Sequence, residues 1–235
     1  MICKISDLLV DIPDEGGMAP LCEGYRTDEQ GSADIVLEKE RYRPENWPTL
    51  SYEKAIYMES GFQFYFKLLD FSGMMLHASA VALDERAYLF SGPSGMGKST
   101  HTRLWQSTFG EGATVFNDDK PALRYVDGRW FAYGTPWCGK DGINVNRKVP
   151  LAGICFLRRG DKNEIRRLSM QEATTRILGQ TPWKFKKVEN LDKLLKLVDR
   201  LVQDIPVYEL FNKPEPDAAR LSYETMRRGA EEANL

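Results

Sequence analysis

The chain has 235 residues, 42% hydrophobic and 28% charged, with 32 lysines and arginines against 34 aspartates and glutamates. That length suits one large core, and the near-neutral balance supplies no basic excess for a nucleic-acid partner. No apolar run approaches the roughly 18 residues that span a bilayer, so no membrane partner is expected.

Cys3, Cys22, Cys138 and Cys155 are scattered and form no C-x-x-C pair, and His77 and His101 lie far apart in sequence. Neither a structural zinc site nor a disulfide framework is expected. The opening run Met1-Ile2-Cys3-Lys4-Ile5 lacks the charged-then-apolar layout of a secretory signal, which makes a reduced, cytoplasmic location the expectation.

Residues 1–50 are polar and punctuated by proline and glycine, with short alternating runs such as Ala33-Asp34-Ile35-Val36-Leu37-Glu38. They read as a few short strands with loops. Ser51 suits an N-cap for a helix through Leu69, which Gly61 would bend or break. Its aromatic residues Tyr57, Phe62, Phe64, Tyr65 and Phe66 read as core rather than as a ligand platform. Met74 to Leu83 and Arg86 to Phe90 read as two strands around an Asp84-Glu85 turn.

Next comes Gly92-Pro93-Ser94-Gly95-Met96-Gly97-Lys98-Ser99, a full match to the phosphate-binding pattern G-x-x-x-x-G-K-[ST]. Its glycines let backbone N–H groups turn inward around a polyphosphate. Lys98 offers a point charge to the β- and γ-phosphates, and the Ser99 hydroxyl suits a Mg²⁺ ligand. A buried strand before the loop and a helix from Thr100 to Gln106 after it set it apart from an ordinary glycine turn. ATP and Mg²⁺ are the expected ligands, with Gly92 to Thr100 as the binding segment.

The helix ends at Gly110 or Gly112, and the strand Ala113 to Phe116 delivers Asn117-Asp118-Asp119. Asn-Asp-Asp is good turn chemistry, but after a phosphate loop two carboxylates can divide the labour of phosphoryl transfer. One would hold the metal, assigned with Ser99 to Asp119, and one would take the proton of an attacking hydroxyl. Leu123 to Val126 and Trp130 to Tyr133 form a hairpin around Asp127-Gly128. The glycine-dense run Gly134 to Gly142 is either a plain surface loop or a mobile cover bringing Lys140 or Arg147 to the phosphate. Cys138 within it has no nearby base and is discounted as a nucleophile.

Leu151 to Leu157 is a buried strand, expected to pair with Glu164 to Leu168 across a Gly160-Asp161 turn. The cluster Lys184-Phe185-Lys186-Lys187 reads as a solvated helix start. Leu191, Leu194, Leu195, Val198, Leu201 and Val202 fall on one helical face. Pro206 ends that helix, a strand from Val207 to Phe211 follows, and Pro214 to Gly229 reads as a last helix. The expected fold is therefore mixed α/β with a largely antiparallel sheet and a mainly helical C-terminal third. It is read as one domain: N-terminal strands and helix (1–70), a nucleotide-binding core (71–160) and the helical part (161–235).

His77 stands among Met74, Met75, Leu76 and Ala78 and reads as a satisfied core histidine, unless an edge position turns it toward the γ-phosphate. A histidine in a strand, the phosphate loop and an Asp-Asp pair after a short helix and strand together resemble the catalytic domain of HPr kinase/phosphorylase. More distantly they resemble the nucleotide-binding core of phosphoenolpyruvate carboxykinase. The resemblance covers about residues 74–120, and more loosely runs to about 158. It implies transfer of the γ-phosphate of ATP to a serine hydroxyl, with Lys98 on the phosphates, Ser99 on magnesium, the aspartate pair as base and His77 in the active site. Arg147 would match a phosphate-contacting arginine. Residues 1–70 do not resemble that family's N-terminal domain, its L-E-[IV]-R-G-L-G stretch is missing, and Pro93 stands where an aspartate is usual. The expected acceptor is a serine-bearing protein, peptide or small molecule, and family analogy suggests a homo-oligomer. The rival reading is a regulatory module that senses a nucleotide without transferring phosphate.

Overall fold

The computed structural model describes residues 1–41, 44–182 and 188–235; the Lys184–Lys187 cluster lies outside them. At the N-terminus β1 (Ile2–Ile5) and β2 (Leu8–Asp11) form a hairpin, turning through Ser6 and Asp7 at positive φ. After a short helix α1 (Met18–Leu21), β3 (Ile35–Val36) adds in parallel to β2. This small sheet packs on helix α2 (Tyr52–Leu68), so that Ile5, Val10, Ile35, Ile56, Phe64 and Leu68 share one core.

Helix α2 starts where Ser51 caps it, the side chain accepting the Lys54 N–H at 3.4 Å. Contrary to one expectation, Gly61 does not end it. The glycine serves a close approach instead: a Cβ there would sit 3.0 Å from the indole of Trp137.

The Met74 to Leu83 segment is two strands rather than one. β4 (Gly73–Met75) pairs with β8 (Ala122–Val126), whereas β5 (Ala78–Leu83) pairs with β6 (Arg86–Ser91) and β7 (Thr114–Asn117). The break falls at His77, whose backbone N–H leaves the ladder and donates to the Gln180 carbonyl at 2.8 Å. β6 runs into the glycine loop, and α3 (Lys98–Phe109) follows it and stops at Gly110. β8 and β9 (Arg129–Tyr133) form the expected hairpin, with Asp127 and Gly128 at positive φ.

The long strand β10 (Lys148–Arg159) joins the two halves of the sheet. Its first three residues pair with β9 and the rest run parallel to β6, so the sheet curls along it. Its last six residues run parallel to β12 (Val207–Asn212). β11 (Glu164–Arg167) therefore does not return onto β10 as expected. β12 lies between them, and β11 pairs antiparallel with β12. The buried register Ile154 to Leu157 takes the apolar strand Val207 to Leu210, and the polar Glu164-Ile165-Arg166-Arg167 is left to the edge.

The central strands are apolar on both faces because helices cover both. Tyr88, Phe90, Cys155 and Leu210 pack toward α3 and α6 (Pro216–Glu232). Ala87, Leu89, Ile154 and Phe156 pack toward α4 (Met170–Leu178) and α5 (Val188–Asp204). Helix α4 has a sequence signal that went unread: Ser169 and Glu172 form a capping box. On α5, Leu194, Val198 and Leu201 are buried as expected, but Leu195 is 43% exposed. The outcome is a mixed α/β fold with a curled, largely antiparallel sheet.

Between α3 and α6, His101 is fully buried, its Nε2 3.1 Å from the Ser222 hydroxyl and its ring against Phe90. Burial, partly opposed by Asn212, pushes its pKa down to about 4. The unfolded chain, with histidine near 6.5, then binds a proton before the folded one does. Stability is full above pH ~6.5 and falls as pH drops toward ~4, by about 3 kcal/mol in total. Urea-unfolding midpoints across that window should show this slope in the native chain and a flatter one in His101→Gln.

Candidate active site

Strand β7 ends in a turn that the Asn117 side chain shapes. Its Oδ1 accepts the N–H of Asp119 (3.1 Å) and of Lys120 (2.7 Å), while its Nδ2 donates to the Thr135 carbonyl at 3.1 Å. This turn points the two aspartates apart. Asp118, 5% exposed, accepts the N–H of Gly139 (2.6 Å) and of Asp141 (3.1 Å). Burial pushes its carboxyl up, against the pull of those two N–H groups. Asp141 in turn pairs with Arg103 on α3 at 2.9 Å, which places Asp118 on the α3 side.

Asp119 faces the other way. Its Oδ1 lies 3.0 Å from His77 Nε2, and its Oδ2 takes the Lys120 ammonium. Burial would raise the Asp119 carboxyl, but the His77 hydrogen bond and the Lys120 charge outweigh it and hold it well below the usual carboxylate range. His77 is thus not the satisfied core histidine that its neighbours suggest. Its side chain is 29% exposed because the strand break lifts it out of the ladder. Its Nδ1 lies 3.0 Å from Gln180 Oε1, at the end of α4, and the Gln180 amide nitrogen donates to the Gly179 carbonyl. The ring is clamped between a carboxylate and an amide.

The loop before α3 is built on Gly92, Gly95 and Gly97, all at positive φ, and Gly97 leaves the first turn of α3 without a side-chain cap. Pro93, Ser94 and Gly95 are exposed, Met96 and Ser99 half-buried, and Thr100 exposed on the first turn. Lys98 is buried, at 8% exposure, and its ammonium donates to the carbonyls of Gly92 (2.9 Å) and Pro93 (3.5 Å). Among the described residues it forms no ion pair. Burial lowers its pKa, opposed by the charge of Asp119.

The run Gly134 to Gly142 is not a plain surface loop over its first five residues. Residues 134–138 are buried, and Trp137 stacks on Phe64 at 4.8 Å and donates its indole N–H to Ser60 at 3.1 Å. Trp137 lies fully in the core, and that anchor is what pins the loop under the aspartates. Lys140 is exposed. Arg147 is not brought to the phosphate side: its carbonyl accepts the Gly134 N–H, and among the described residues its guanidinium has no bond to the site. Burial pushes the Cys138 thiol up, with the Asp118 charge adding to it, which keeps it un-ionised.

A cleft of about 470 Å³ opens beside His77, Asp119 and Lys120, walled by Tyr57, Phe62 and Tyr65 of α2 and by Trp137. Sequence reasoning missed Lys120, Gln180 and this wall. Lys120 directly follows the aspartate pair and was there to be read. Gln180 lies 103 residues from His77 and had no local signal.

The chain folds as a mixed α/β protein whose glycine loop precedes α3. The family model of the SynChlorMet cassette protein ScmC matches residues 52–213, and the chain belongs to that family. No curated protein matches it. Among solved structures it is similar to the HPr(Ser) kinase/phosphatase from Coxiella burnetii, at 14% identity and a TM-score of 0.38, over 67% of this chain and 90% of that one. No described helix is long and apolar enough to cross a membrane.

Proposed function

We propose that the protein is an ATP- and Mg²⁺-dependent phosphotransferase that passes the γ-phosphate to a serine-type hydroxyl. The observation that carries this reading is the buried Lys98 ammonium, bonded among the described residues to loop carbonyls alone, with the ionised Asp119 as its opposing charge. A buried cation without a contacting anion is costly, and an anionic ligand in the loop offsets that cost.

The loop N–H groups and the uncapped first turn of α3 would bind the phosphates. Ser99 sits on that turn, and Asp118, on the same side, keeps one lone pair on each oxygen after accepting Gly139 and Asp141. These two residues fit a magnesium ion better than the Ser99–Asp119 pair inferred from sequence, because one Asp119 oxygen is engaged by His77 and the other already holds the Lys120 ammonium. The ion, when bound, would neutralise charge on the phosphate oxygens.

Asp119 would then orient the acceptor hydroxyl and take its proton. The acceptor oxygen bonds to the γ-phosphorus, the bond to the bridging oxygen breaks, and ADP leaves as the negative charge passes to it. Lys98 stabilises charge growing on the transferred group. His77 and Lys120 keep Asp119 ionised and fixed, and Gln180 fixes His77.

The test is transfer of label from γ-labelled Mg-ATP to a panel of free serine, serine peptides and HPr. Label on an acceptor, dependent on Lys98, is expected. Tight ATP binding with no label, in the panel or in cell extract, would favour a nucleotide-sensing module instead.

A further inference from the structure

Two cavities flank the glycine loop, and they differ in chemistry. One, of about 510 Å³, touches Gly92, Pro93 and Met96 and carries Arg158, Arg159 and Arg176. The other is the cleft of about 470 Å³ that holds Asp119. They share Gly179 and Gln180, so both open onto the residues that clamp His77. A proton-accepting carboxylate must touch the acceptor hydroxyl. The first cavity also reaches a carboxylate, Glu209, but Arg158, Arg166 and Arg176 hold it in ion pairs, so the second, with Asp119, is where the acceptor would enter.

The walls of that cleft restrict what the acceptor can be. Helix α2 presents Tyr57, Met58 and Phe62 to it, all half-buried, and Met75 adds a further apolar surface. Phe62 is braced from behind by Trp47, with ring centroids 5.7 Å apart and planes 13° from parallel. The Tyr57 hydroxyl is committed to the Cys138 carbonyl at 2.6 Å and accepts from Lys120 at 3.1 Å, and the Lys120 ammonium lies 5.0 Å from the ring centroid, so Tyr57 offers the cleft only the part of its ring that Lys120 leaves uncovered. At the polar end the Lys120 ammonium is paired with the Asp119 carboxylate, whose other oxygen is engaged by His77. A charged group on the acceptor would lose its hydration against aromatic walls and find no free counter-charge among the described residues that line the cleft. A flat apolar group would cover those walls at little cost.

Resting on the phosphotransfer reading, we infer that the acceptor hydroxyl is carried beside an aromatic or bulky aliphatic group, as in a serine peptide with a large apolar neighbour. The cleft would select against free serine and against acidic flanks. One buried apolar side chain in such a pocket is worth roughly 10- to 200-fold in discrimination.

The experiment has a transfer arm and a binding arm. In the first, kcat/KM is measured with saturating Mg-ATP for blocked peptides in which serine neighbours phenylalanine, leucine, glycine or aspartate. Free serine and 2-phenylethanol complete the panel and separate a peptide source from a small aryl alcohol. The phenylalanine peptide should exceed the glycine peptide at least about tenfold, with aspartate lowest. Phe62→Ala should bring that ratio close to unity, and Phe62→Leu should restore much of it. In the second arm, dye-labelled peptides with alanine in place of serine are titrated against the protein with ADP. The same order of affinities is expected.

Transfer without the apolar preference would overturn the inference and leave the kinase reading standing. Apolar-selective, Phe62-dependent binding with no transfer to any acceptor would keep the cleft assignment and sink the kinase reading. Neither preference nor binding would refute both.

Discussion

Replacing Lys98 with methionine is expected to lower phosphotransfer by about 10²- to 10⁴-fold, the scale of a lost charge-stabilising group. It should also weaken ATP binding, since the ammonium would meet the phosphates before and during transfer. Methionine keeps the unbranched stem in the space that Lys98 fills and removes only the charge. Burial lowers the Lys98 pKa, so the folded chain disfavours the charged form that dominates at neutral pH. That charge is therefore a cost to folding, and Lys98→Met should melt no lower than the native chain. Activity lost with stability kept, read by label transfer and by thermal melting on the same samples, is the expected pair of results. Activity kept would remove Lys98 from the mechanism.

Asp119→Asn is expected to cost about 10²- to 10⁴-fold in transfer while leaving ATP binding within a few-fold of native. The asparagine keeps the shape and loses the proton acceptor. Here stability should move with activity. The folded-state pKa of Asp119 is depressed, because the bonds from His77 and Lys120 outweigh burial. A depressed carboxyl contributes stability that is present above its unfolded pKa, about 3.9, and is lost as pH falls through the folded value. The variant should thus be less stable than native at pH 7, and the gap should narrow as pH drops below about 4. Urea midpoints at neutral and acid pH measure this. A gap that widened in acid would mean that Asp119 is not held ionised in the fold.

What the sequence disclosed was what lies close together in the chain. Gly92 to Ser99, the buried strand before it and the helix after it are neighbours, and their geometry follows from local chemistry. Asn117-Asp118-Asp119 was legible as a pair of carboxylates at a strand end. That they point to opposite sides was not legible, because Gly139, Asp141 and His77 do the separating. The apolar neighbours of His77 read as core, with an edge position as the alternative, and the structure leaves its side chain 29% exposed. The strand break that exposes it is set by Gln180, which only the fold brings near. By composition the Gly134 to Gly142 run reads equally as a plain surface loop or a mobile cover, and the burial of Trp137 against Phe64 was not legible in it. β11 was assigned to β10 because they are joined by a tight turn, whereas the more apolar β12 competes better for that edge.

The central claim is that one cation and one carboxylate, Lys98 and Asp119, carry a phosphoryl group from a nucleotide to a hydroxyl. Single-turnover transfer from γ-labelled Mg-ATP, compared among the native chain, Lys98→Met, Asp119→Asn and the double variant, tests it most directly. Groups acting as a unit give non-additive losses, so the double variant should be little slower than the worse single one. Native protein that binds Mg-ATP yet labels no acceptor, or a double variant that transfers at the native rate, would contradict the account.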